Sequence, residues 1–346
     1  MKLTIFVSLF LLLLIFEFFL RNITKIGKKK FKWLIDYKDE NPKFEEDRIN
    51  LFIRKSFDKE LGWIRKANTS GKEENNGKTS FFKIDKKGSR FNPNNNNKYK
   101  KNIITFGDSF TFCRQVNNNQ TWQAFLAKSK KLNVSNYGVG NYGADQALIL
   151  SKRIIKNKKF NISILGVVPE TILRINSCWK HYYEYGNIFG FKPRFIIKDN
   201  KLNLIKNEIN SVDKFKNYKK YLNKIQKNDY FYKNVFKKEI IKKPYVISYL
   251  KSLRNIELLF YIFFKKEIKT LQKFVLRKNH LMSIKFYKEK KSVNLLYKII
   301  CEFFDNSNKN NTFPFFIILP QIYDVKFYVK NKKSYYENLI FKFIDK

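Results

Sequence analysis

The stretch that most limits the fold is Ile103-Ile104-Thr105-Phe106-Gly107-Asp108-Ser109. A short apolar run that stops at a glycine reads as a buried strand ending in a tight turn. A helix is expected from about Gln120, where Trp122, Phe125 and Leu126 fall at helical spacing. Ser109 therefore lies between the end of a buried strand and a helix. Open α/β sheets build their small-molecule sites at that edge. A serine there either caps the following helix or presents its hydroxyl and backbone N–H to a bound group.

The pattern then repeats. A second strand is expected over Asn133 to Tyr137, a loop at Gly138, Gly140 and Gly143, a helix from Ala144 to about Ile155, and a third strand over Asn161 to Val168. Strand–helix–strand–helix–strand implies parallel strands joined by right-handed crossovers, and hence a three-layer α/β core. Residues 170–290 form a long insertion. It begins with the aromatic run Trp179 to Gly186, continues through short strands around 195–206, and from Lys214 to about Phe274 reads as basic amphipathic helices. A lid, a partner surface, packing against a membrane and a solvated helical decoration all fit, the last most simply. The core resumes with a helix near 290–304, a strand over Pro314 to Leu319 and a final helix near 333–344. Upstream, residues 65–100 are polar, with Lys72 to Gly77 and Asn94 to Asn97 as loops around short strands such as Ser80 to Ile84.

Residues 3–20 form an apolar run with one acid, Glu17. It is just long enough to span a bilayer. Arg21, Lys25 and Lys28 to Lys30 follow it where a signal peptide would carry a small-residue cleavage site, which favours an uncleaved single-pass anchor. These lysines argue for a cytoplasmic domain, but lysine is spread along the whole chain. The orientation stays open, with the outer face of the cytoplasmic membrane as the expectation.

Lys plus Arg number 71 against 29 Asp plus Glu, a net charge of +42 over 346 residues. Such a balance ordinarily points to nucleic acid or an anionic membrane. Here Lys rises together with Asn, Ile, Phe and Tyr with no localised patch, so a coding bias explains it and nucleic acid is not an expected partner. Cys113, Cys178 and Cys301 are odd in number and far apart, which argues against a disulfide framework or a zinc site. Cys113 reads as a small apolar residue behind the Ser109 turn.

Gly107-Asp108-Ser109-Phe110-Thr111-Phe112 resembles the first block of the SGNH (GDSL-type) hydrolases. Val116, Thr121 and Trp122 follow as in one branch of that family, and Asn136 to Gln146 resembles the branch's second block. Glu60-Leu61-Gly62-Trp63 and Gly88-Ser89-Arg90 resemble its N-terminal extension. The resemblance covers about residues 58–175 well and the rest in outline; several motifs in order are far more specific than one tripeptide. It implies an α/β fold with a three-layer α/β/α, flavodoxin-like parallel sheet. It also implies a serine ester hydrolase or acyl-transfer enzyme acting on carboxylic esters, often acetyl groups on carbohydrates, with no cofactor or metal. Ser109 would be the nucleophile and its backbone N–H one oxyanion donor. Asn141, flanked by Gly140, stands where the family has its second donor.

Two departures follow. Glu170 falls where the third block carries an Asn, and an ionised carboxylate donates no hydrogen bond. Glu170 must then be protonated, turned away or compensated by Arg174. The fourth block, Asp-x-x-His, is missing: His181 and His280 both precede the last strand, and Asp324-Val325-Lys326-Phe327 has the Asp without the His. His181 is the candidate substitute base, against a plainer place in an aromatic cluster; His280, in a basic stretch, reads as structural. The expected organisation is an anchor over 1–22, a juxtamembrane segment and extension over 23–100, and the α/β domain with its insertion over 101–346. The C-terminal catalytic block is expected to be absent, with little esterase activity as the consequence. Two readings remain, an enzyme acting through Ser109 with Asp108 beside it, and a catalytically incomplete binding or accessory protein for glycan or envelope modification.

Overall fold

The computed structural model describes residues 2–30, 34–75, 77–156, 159–264 and 268–344. Helix α1 (Lys2–Lys30) runs without a break past the expected boundary at residue 22. Its lysines gather at the C-terminal end, where cations favour the helix dipole. Helix α2 (Glu46–Lys55) follows, then the two-residue strands β1 (Phe57–Asp58) and β2 (Gly62–Trp63). The expected loop at 72–77 is instead one side of an antiparallel hairpin, β3 (Ser70–Asn75) with β4 (Lys78–Lys83); Asn76 lies outside the described residues.

The centre is a parallel sheet. Strand β5 (Asn102–Gly107) runs into the four-residue helix α3 (Ser109–Phe112), then α4 (Trp122–Lys130) and β6 (Asn133–Gly138). Helix α5 (Ala144–Ile155), strand β7 (Ile162–Val167) and the single turn α6 (Thr171–Arg174) come next. The insertion holds the hairpin β8 (Arg194–Lys198) and β9 (Lys201–Ile205) and the short helices α7 (Val212–Lys216), α8 (Leu222–Asn228), α9 (Lys237–Glu239), α10 (Tyr245–Leu250) and α11 (Leu253–Phe264). The long helix α12 (Ile268–Lys288) leads back to α13 (Lys290–Lys309) and β10 (Phe313–Ile318). The chain closes with α14 (Ile322–Asn331) and α15 (Glu337–Ile344).

The sheet order is β10-β7-β5-β6, all parallel, so the chain is a mixed α/β protein with β5 inside the sheet. Isoleucine and phenylalanine suit a strand covered on both faces, and Ile104 and Phe106 are fully buried. The insertion is not a solvated decoration: Phe215, Phe231, Phe236 and Phe286 belong to the same buried cluster as Phe106, Leu165 and Phe303. Each buried aromatic ring of this size contributes about 2–3 kcal/mol, so α7, the turn at 231–236 and α12 are tied into the central core by their aromatic side chains. The final expected helix is α15, which starts at Glu337 rather than near residue 333, and a further helix precedes it. Asp324 and Gln321 form a capping box that starts α14, a helix the apolar spacing alone did not reveal.

Candidate functional site

Ser109 sits just past the carboxyl end of β5, at the first position of α3. The turn is too tight for any residue but glycine on the strand side. Gly107 has φ +152°, and a Cβ there would lie 1.8 Å from the Gly166 carbonyl oxygen of β7. On the other flank a Cβ on Gly138 would lie 2.3 Å from the Phe112 amide. Thr111 donates to the Gly166 carbonyl at 2.7 Å, and the Thr111 carbonyl accepts from Gln123 at 2.7 Å and from Asn136 at 2.9 Å. The serine is thus set on a turn keyed to both neighbouring strands.

Asp108 caps that turn. One carboxylate oxygen accepts from Phe110 N–H at 2.8 Å; the other accepts from Val168 N–H at 2.9 Å and faces Arg174 at 3.4 Å. Arg174 also reaches Glu170 at 3.4 Å and the Tyr142 carbonyl at 3.0 Å. All three charged groups are buried. Burial pushes the Asp108 and Glu170 carboxyls up, and Arg174 partly offsets it in both. Arg174 lies beside Glu170, as compensation requires, and Glu170 does not line the cavity at Ser109. The arginine joins the Asp108 turn, Glu170 and the loop at Tyr142.

The second-block loop is fixed from the N-terminal extension. Trp63 Nε1 donates to the Gly140 carbonyl at 3.0 Å. In a trans peptide the C=O and the following N–H point in opposite directions, so this bond aims the Asn141 N–H away from Trp63. Asn141 is left-handed, with φ +69°, a conformation asparagine tolerates better than most residues. Tyr142 donates its hydroxyl to the Trp63 carbonyl, and Gln146 donates to the Leu61 carbonyl at 2.8 Å. Arg90 grips the other end of α3: its guanidinium donates to the carbonyls of Phe112 at 2.6 Å, Cys113 at 2.8 Å and Val116 at 2.6 Å. Burial lowers its pKa to about 10, still leaving it charged near neutral pH.

Ser109 is partly exposed, and its hydroxyl makes no hydrogen bond among the described residues. Its N–H, at the first helical position, has no intrahelical acceptor. A cavity of about 320 Å³ opens on it, lined also by Phe110, Cys113, Arg114, Gln115, Val116 and Gln120. Cys113 thus lies at the mouth of the site rather than behind the turn, in a left-handed conformation with φ +59°. Gly140, Asn141, Glu170, Arg174 and His181 do not line this cavity.

The histidines divide sharply. His181 is buried among Trp179, Tyr182, Tyr185 and Phe236. Its Nδ1 accepts from Gly186 N–H at 3.3 Å and its Nε2 donates to the Asp39 carbonyl at 3.0 Å. Both nitrogens are occupied in the neutral ring, and burial lowers its pKa to about 4. His280 on α12 instead places Nδ1 3.1 Å from Asp324 Oδ1. Asp324 also accepts from the Tyr335 hydroxyl at 2.5 Å and from Gln321 N–H at 2.7 Å. This His–Asp pair, 44 residues apart in sequence, carries no motif spacing. Its one sequence signal is an acid just past the last strand. Asp324 is in the first turn of α14, which follows the carboxyl end of β10, and β10 lies two strands from β5, about 10 Å at normal strand spacing. Among the described residues no group of His, Cys, Asp and Glu is arranged to hold a metal ion.

Comparison with models of known protein families gives no match, and comparison with characterised proteins gives none.

Proposed function

We propose that this chain is a membrane-anchored serine hydrolase or acyl-transfer enzyme of SGNH type, with the three-layer core that resemblance implies. The observation that carries the reading is Ser109: a partly exposed hydroxyl without a partner among the described residues, on a tight turn at the carboxyl end of an internal parallel strand, facing a cavity. The substrate class is a carboxylic ester, with acetyl groups on carbohydrate as the form the family resemblance suggests. Ser109 is the nucleophile, and its own N–H and that of Asn141 are the oxyanion donors. His280, oriented by Asp324, is the base. It is the histidine with an acidic partner, and its Nε2 has no protein partner among the described residues. No hydrogen bond joins it to Ser109, so the two must approach when substrate binds; catalytic hydrogen bonds often tighten only then. Helix α1 is long and apolar enough to cross a membrane, and we assign it as a single-pass anchor, with the domain on the outer face of the cytoplasmic membrane.

The second reading, a binding or accessory protein without turnover, is favoured by that open gap between Ser109 and either histidine. A fluorophosphonate probe and a simple acetyl ester separate the two on the full chain. Labelling at Ser109 and hydrolysis, both lost in Ser109→Ala, are expected. Binding of an acetylated glycan with neither labelling nor hydrolysis would replace the first reading with the second.

A further inference from the structure

Helix α11 is fastened to α1 where the apolar run of α1 ends. Glu17, the acid inside that run, accepts from the backbone N–H groups of Tyr245 and Val246 at the start of α10, with Val246 at 2.9 Å. Seven residues on, the Thr24 and Tyr249 hydroxyls meet at 2.6 Å. Leu20 of α1 packs in one buried cluster with Leu34, Ile241, Tyr249 and Leu258. At 1.5 Å per residue, Glu17 to Thr24 spans about 10 Å of helix. Helices α10 and α11 therefore sit beside the last turns of the apolar segment.

Among the described residues the opposite side of α11 meets no protein partner. Leu253, Ile256, Phe260, Phe263 and Phe264 recur at helical spacing along one face and are exposed, Leu253 by 79% and Phe264 by 72%; Leu250 at the end of α10 continues the stripe at 73%. The rings of Phe260 and Phe264 lie tilted against each other with centroids 4.7 Å apart. A helix with a buried apolar face and a second, exposed apolar face is out of place in water. Phe16, Phe18 and Phe19 are also exposed on α1, next in sequence to Glu17 and Leu20, which hold α10 and α11. Lys242, Lys243 and Lys251 are exposed on the flanks, and Lys25 is exposed on α1. Glu257 is exposed next to the stripe. Apolar residues in a row, bordered by lysines, match the acyl and anionic headgroup levels of a bilayer.

We infer that the exposed face of α10 and α11 inserts into the membrane interface beside α1, as a second contact that fixes the orientation of the domain on the bilayer. This rests on α1 being a membrane anchor, and the test separates the two claims. Full-length protein is reconstituted into vesicles of phosphatidylethanolamine with phosphatidylglycerol and a trace of phospholipid carrying a photoactivatable acyl chain. After photolysis, lipid adducts are mapped by mass spectrometry. Adducts within both 3–20 and 250–264 are expected. Adducts within 3–20 alone overturn the inference and leave the anchor standing; adducts within 250–264 alone overturn the anchor, and with it a second contact beside α1, while showing that this face meets lipid; adducts in neither overturn both. Dimerisation in lipid with 250–264 shielded from adducts also overturns it, in favour of a second copy as the occupant. In the double variant Leu253→Asp with Phe260→Asp, adducts in 250–264 should vanish while those in 3–20 persist. Unchanged adducts in 250–264 would show that this face does not meet the lipid.

Discussion

The two histidines of the chain sit in opposite settings. His181 lies close in sequence to the blocks around Ser109, and its surroundings lock it. It is 1% exposed, ringed by aromatic side chains, with both ring nitrogens spent on backbone groups. His280 is remote in sequence and lies in a basic stretch, yet the fold gives it a carboxylate. The contrast teaches that nearness in sequence to a nucleophile says little about which group can take its proton. A base needs a lone pair that a substrate can reach and a partner that steadies its charged form. His181 has neither free.

The largest effect expected from this contrast is on catalysis. His280→Gln should lower the Ser109-dependent turnover of an ester by about a thousandfold, or about 4 kcal/mol in the barrier. A folded His181→Phe protein should keep turnover within about threefold. The check is kcat/KM for a chromogenic acetyl ester in the two variants beside Ser109→Ala. A fall in His181→Phe as deep as in Ser109→Ala, with His280→Gln unaffected, would reverse the assignment.

Much of the Ser109 edge was legible in the sequence because its signals are local. The run Ile103 to Phe106, the glycines of the loop and the helix Ala144 to Ile155 each carry their own propensity and period, and the structure places them within a residue or two. The four-residue α3 was not legible, since a single turn has no periodicity; Asp108 as its cap was the one cue. The roles of Arg90 and Trp63 were hidden for another reason. Their motifs are visible, but that the first holds the end of α3 and the second aims the Gly140–Asn141 peptide depends on chain segments folding back over 22 and 77 residues. The His280 half of the His280–Asp324 pair was hidden, because only the return of α12 against α14 brings it to the acid past the last strand.

The next effect is on stability against pH. His181 has a folded pKa of about 4 against an ordinary value near 6.5. Below pH 6.5 the unfolded chain takes up a proton that the folded chain refuses. His181 therefore contributes full stability above about pH 6.5, which is lost as pH falls toward 4, by about 3 kcal/mol in all. Asp108 and Glu170, with carboxyls pushed up, act in the opposite sense in acid. The informative quantity is thus the difference between wild type and His181→Phe. Denaturant midpoints measured from pH 7 to pH 4 should fall more steeply in the wild type. Parallel curves would mean that the ring is not held neutral.

Asp324→Asn comes third. The carboxylate serves three donors: His280, Tyr335 and the Gln321 N–H. An amide keeps one acceptor oxygen and puts donors in the place of the other. The cost should be about 2 kcal/mol, from one lost charged hydrogen bond and the weakened start of α14. Urea unfolding measures it. A loss under about 0.5 kcal/mol would mean that the pair behaves as a surface ion pair and steadies neither helix.

The smallest effect is the one that tells positioning from mere packing at His280. Tyr335 shares Asp324 Oδ1 with the histidine, and its ring lies edge-on to the His280 ring at 5.3 Å. Tyr335→Phe removes the hydroxyl and keeps the ring. Asp324 then still has His280 and the Gln321 N–H, so no buried charge is stranded, and the expected loss of stability is about 1 kcal/mol. Turnover should follow a different rule. If Asp324 orients His280 for Ser109, releasing Oδ1 from Tyr335 leaves the histidine its sole side-chain donor there, and kcat should rise while stability falls. If the pair only fastens α12 to α14, kcat should track the folded fraction and nothing else. Well below the unfolding midpoint of the variant, where the folded fraction is near one, a kcat above that of the wild type supports the first and an unchanged kcat the second. A kcat that falls there by about tenfold or more would show that Tyr335 itself holds the geometry, and that Asp324 without it does not suffice.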